Sequence, residues 1–99
     1  MMLNWFNATL AKEFGAMLAG LFVKGMPDDR HFGDKAFEMK TNKLLKQMAI
    51  QVAQFKVDHR LNGYKKAQLG NAFRWGLVDA GVPADYANKL TKWLMLQLG

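Results

Sequence analysis

Apolar residues recur along this chain with the period of an α-helix, and no stretch shows the two-residue alternation of a half-buried strand. Turn chemistry interrupts the pattern at KGMPDDRHFG (residues 24–33), at Asn62-Gly63 and at DAGVPAD (residues 79–85). The expected fold is therefore all-α: one domain, 1–99, of four helices near 4–24, 34–61, 64–80 and 83–98. The second is expected to be the longest and to stand at the centre. No Gly or Pro falls between Lys35 and Leu61, so nothing there breaks a helix roughly 40 Å long.

This second helix carries two apolar arcs. At 100° per residue, Phe37, Leu44, Leu45, Met48, Val52 and Phe55 share one arc, beside Thr41 and His59. Met39, Ile50, Ala53 and Val57 gather almost opposite. Lys40, Lys43, Gln47, Gln51, Gln54 and Asp58 fill the main polar gap. A helix with two apolar faces needs two covers, one from its own chain and a second from elsewhere in the molecule or from another chain.

The first helix, capped by Asn4 or Asn7, shows a broad apolar face: Leu3, Phe6, Leu10, Phe14, Met17, Leu18, Leu21 and Phe22. Its other side is small, with Ala8, Gly15, Ala16, Ala19 and Gly20. A helical Gly costs about 1 kcal/mol relative to Ala. Close approach of another helix would offset that cost at Gly15, and the pattern leaves Gly20 undecided. The third helix is also double-faced. Leu69, Ala72, Phe73, Gly76, Leu77 and Ala80 lie on one side, and Tyr64, Ala67, Asn71, Trp75 and Val78 on the other. Gly81 ends it. Pro83 marks the first turn of the fourth helix, which points Tyr86, Ala87, Leu90, Trp93, Leu94 and Leu98 inward and leaves Met95 and Leu96 off that face.

Composition narrows the function classes. There is no Cys, so disulfides, thiolate metal sites and Cys nucleophiles are excluded. There is no Ser, and there are only two His. A nucleophile–base pair would have to use Thr9, Thr41 or Thr91. No phosphate-binding glycine loop, metal-ligand spacing or cofactor motif is present, so no cofactor and no catalysis are expected. Asp28, Asp29, Arg30 and His31 are the densest reactive cluster, and a solvated turn with an Asx cap accounts for them. The apolar N-terminal stretch carries Lys12 and Glu13 near its middle, which argues against a membrane span and for a core helix. Without a targeting pattern, a cytoplasmic location is expected.

The formal net charge is +6, and the excess begins with the second helix. A basic balance raises the prospect of an anionic partner. Residues 59–75, HRLNGYKKAQLGNAFRW, interleave cations with aromatics as single-stranded nucleic acids require. Arg60, Lys65, Lys66 and Arg74 are the candidate anion-binding residues; the plainer alternative is a solvated basic turn with Tyr64 and Trp75 packed inward. Two Lys in the first turn of helix three oppose its dipole. Glu at 65 and 66 would accordingly be expected to raise thermal stability. A helix-turn-helix reading of the last two helices is poorly equipped, because Ala84, Asp85 and Asn88 open the would-be reading helix.

The resulting expectation is function through protein contact, beginning with a homodimer. Met39, Ile50, Val57, Trp75, Met95 and Leu96 are the candidate interface. The alternative is nonspecific anion or nucleic-acid binding through segment 59–75.

Overall fold

The computed structural model describes residues 2–26 and 35–99. The Asp28–His31 cluster and the Asp34 cap lie outside the described residues. Four helices and no strand are present among them: α1 Met2–Gly25, α2 Lys35–Asp58, α3 Gly63–Asp79 and α4 Ala84–Leu98. The all-α, four-helix domain expected from the pattern is what forms. No described helix is long and apolar enough to cross a membrane.

Among the described residues, α1 packs on α2 and α3, and α4 packs on α3 and α2. The helices thus form a ring in the order α1, α3, α4, α2. Paired side chains set their directions. Phe14 stacks on Phe55, with ring centroids 4.1 Å apart, and the Thr41 hydroxyl lies 3.9 Å from the Met26 sulfur, so α1 and α2 are antiparallel. Gly15 faces Leu69 and Ala72, while Gly76 faces Ala19, so α1 and α3 run parallel. Phe22, Phe73, Leu18, Met48, Leu69, Leu77, Leu94, Leu98 and Val52 fill the centre.

Two expectations need correction. The second helix is neither the longest nor central. It has 24 residues, as many as α1, and the most extensive contact in the domain is between α1 and α3. The reason is side-chain size. Gly15 and Ala19 on α1 meet Ala72 and Gly76 on α3, one turn apart on each helix. A Cβ at Gly15 would collide with the Leu69 carbonyl, and one at Gly76 would lie 2.7 Å from the Ala19 Cβ. Backbones this close gain dense dispersion contact along the seam. Helix α2 brings larger residues, stands further off and closes the ring from outside.

The ends also differ from the pattern. Helix α1 begins at Met2, ahead of either Asn. Helix α2 stops at Asp58; the His59 N–H still donates to Phe55 O at 2.9 Å, and by Asn62 the backbone is extended. The Asn62 side chain then caps α3, its Oδ1 accepting from the Lys65 N–H at 2.8 Å. Helix α3 closes on Gly81, whose φ of 97° is left-handed. The Gly81 N–H donates to Val78 O and the Val82 N–H to Leu77 O, each at 3.0 Å, and Val82 is buried. Pro83 stands just before α4 as its cap residue.

Candidate interaction surface

The two arcs of α2 have separate fates. Phe37, Met48 and Val52 are buried, and Leu44, Leu45 and Phe55 pack against the core. The opposite arc is open: Met39 is 67%, Ile50 71% and Val57 81% exposed, with Ala53 also exposed. No element of the described chain covers it. Lys46 falls within the same arc, so the surface divides into Met39 and a longer Ile50–Ala53–Val57 strip. Beside that strip Phe14, Ile50, Gln54, Phe55 and Asp58 line a shallow hollow, and the Gln54 amide donates to Asp58 Oδ1 at 3.1 Å.

The other interface candidates occupy different places. Trp75 is 52% exposed on the outer face of α3, its ring under the Arg74 guanidinium at 5.4 Å. Tyr64 is exposed as well, so neither aromatic is packed inward. Met95, 38% exposed, is covered in part within the chain: its sulfur fills the space above Gly70, 2.6 Å from where a Cβ would stand. Of the two glycines inside α3, Gly70 is the one that leaves room for the Met95 thioether. Leu96 points away from the buried side of α4, among Asp85, Lys89 and Lys92, all exposed. A single exposed Leu on a charged face is ordinary.

One apolar surface was missed by the pattern. Met17 and Leu21, assigned to the inward face of α1, are exposed. With Ala16, Gly20, Gly76 and Ala80 they line a groove between α1 and α3. Nothing lies within 4 Å of a Cβ at Gly20, so Gly20 plays no part in the close packing seen at Gly15. The run of small residues was a signal for this groove, because a face of Ala and Gly fills less space than its neighbours.

The four candidate anion-binding residues do not converge. Lys65 is buried, and its ammonium donates to the Arg60 carbonyl at 3.4 Å. Asn62 already occupies the Lys65 N–H. The Lys66 ammonium donates to Gly99 O at 2.9 Å, beyond the end of α4. Arg74 lies two turns further along α3, where its Nε donates to Asn88 Oδ1. Lys65, in the first turn of α3, is thus packed and bonded within its own turn rather than free to meet a ligand.

A polar network lies at the opposite end. The Tyr86 hydroxyl donates to Thr41 Oγ1 at 3.5 Å, and the Tyr86 ring packs edge-on against Phe37 at 5.5 Å. Burial pushes the Tyr86 phenol above its ordinary value. The Thr41 hydrogen bond partly opposes that shift and the charge of Glu38 adds to it. Thr91 donates to the Ala87 carbonyl at 2.8 Å, within its own helix. No family model, curated protein or solved structure matches this chain.

Proposed function

We propose that this chain acts in the cytoplasm without catalysis, through protein contact, and that its first partner is a second copy of itself docked on the outer arc of α2. The observation that carries the reading is the exposure of Met39, Ile50 and Val57 on one face of a helix whose opposite face is already covered. A two-fold pairing makes the same strip serve both sides. An antiparallel arrangement centred at the height of Met48 sets Met39 of each copy against Val57 of the other. It also sets the Asp58 end of each helix near the half of its partner that carries Lys35, Lys40, Lys43 and Lys46, and opposes the helix dipoles.

Magnitudes set the strength of the contact. Burying six such side chains, three per copy, gains about 1–2 kcal/mol each, given that most of each is exposed. The sum, roughly 6–12 kcal/mol, stands against an association cost of about 4–15 kcal/mol. A reversible dimer of micromolar or weaker affinity is expected, in keeping with a patch smaller than a standard interface. Sedimentation equilibrium across micromolar to millimolar concentration tests it. Wild type should show a monomer–dimer equilibrium that Ile50→Glu with Val57→Glu abolishes and Leu96→Glu leaves intact. A wild-type monomer throughout that range would remove the proposal.

A further inference from the structure

One hollow outside the α2 strip combines a cationic rim with an apolar floor. Lys56, His59, Arg60 and Lys66 surround it, Leu61 and Leu98 form its base, and its volume is about 340 Å³. No Asp or Glu side chain lines it. The nearest acid in sequence, Asp58, turns to the other side of α2 and is held there by Gln54. Lys56 was not among the cations singled out from the sequence; it lies one helical turn before Arg60 and joins the group only because α2 ends and the chain doubles back into α3.

Two of the cations already serve the fold. Lys56 donates to Gln97 O at 3.1 Å and Lys66 to Gly99 O at 2.9 Å, so both neutralise the negative end of α4. Each ammonium carries three protons, and these bonds use one apiece. The helix end contributes about half a negative charge and the Gly99 carboxylate beside Lys66 one more, against three full positive ones, so the hollow keeps a positive excess. Arg60 is exposed, and its planar guanidinium suits the oxygens of a phosphate. The apolar base favours a ligand with a hydrophobic or aromatic body behind its charged group.

We infer that this hollow binds a phosphate group, held by Arg60, Lys56 and Lys66, with the body of a small phosphomonoester resting on Leu61. This site is separate from the outer arc of α2, and neither proposal depends on the other.

The test is titration of the full chain at low salt, by calorimetry and amide chemical shifts, with inorganic phosphate, a nucleoside monophosphate and a short single-stranded oligonucleotide. The nucleoside monophosphate should bind most tightly, and its shifts should centre on residues 56–66 and 98. Arg60→Gln should weaken binding about tenfold, as expected for loss of a charged hydrogen bond, while Arg74→Gln, outside the hollow, should not. Circular dichroism of both variants should match wild type. Several outcomes would overturn the inference: no binding by the monophosphate, equal loss in the two variants, or shifts spread over all the cations. Tighter binding of the oligonucleotide, with shifts extending to Trp75, would replace the small-molecule ligand with a nucleic-acid backbone.

Discussion

Glycine-to-alanine substitution at two positions of α1 should have opposite signs. Gly15 and Gly20 lie in the same helix, so the backbone gain is similar: Ala should be favoured by about 0.5–1 kcal/mol at each. Their surroundings differ. At Gly20 a methyl group meets nothing within 4 Å, so the gain stands alone. At Gly15 it would overlap the Leu69 carbonyl oxygen and lie 3.1 Å from the carbonyl carbon and 3.2 Å from the Ala72 Cβ. None of these is the end of a flexible side chain. Relief requires α1 and α3 to separate along their tightest seam, and overpacking of this kind costs about 1–3 kcal/mol, occasionally more. Because rigid backbone is the obstacle, the upper part of that range applies. Gly15→Ala is expected to be net destabilising by about 1–2 kcal/mol. In a domain of this size 1 kcal/mol moves Tm by about 4–8 °C. Thermal and urea unfolding followed by circular dichroism should place Gly20→Ala above wild type and Gly15→Ala several degrees below it. If Gly15→Ala proved as stable as Gly20→Ala, the close α1–α3 seam would be wrong.

Lys65→Glu should lower stability, in contrast to the dipole argument from sequence, because it sets a carboxylate against the Arg60 carbonyl in a buried position. Lys65→Met, which keeps the packed stem, should cost less, and urea midpoints for the two variants give the comparison. Tyr86 should make the fold sensitive to alkali. Its phenol ionises near pH 10 when unfolded and at a higher pH when folded, so its contribution is complete below pH 10 and declines as pH rises toward the folded value. Unfolding free energies from pH 8 to 12 should show the advantage of wild type over Tyr86→Phe shrinking above pH 10. A difference constant with pH would count against that assignment.

The helical period, the breaks at Asn62-Gly63 and Gly81, and the inward arcs of α2 and α3 were all legible in the sequence. They follow from local chemistry: turn residues interrupt hydrogen-bonded ladders, and apolar spacing decides which face is buried. The double-faced character of α2 was legible too, since the angular position of a residue depends only on its number. What the sequence did not determine was which helices touch. That depends on side-chain volume at matching heights on two helices, and Gly15 and Ala19 meet Ala72 and Gly76 only after distant segments align. The same limit explains Met17 and Leu21, which share an apolar arc with Leu18 and Phe22 yet face out once α3 has docked on the small side of α1. It explains the cations as well. Lys65 and Lys66 are neighbours in sequence, but the first is buried against its own turn and the second reaches the end of α4. Lys56 enters the same hollow because the chain reverses after Asp58. A periodic pattern fixes the direction of each side chain about its own helix axis, whereas the partner it meets is fixed by where the other axes lie.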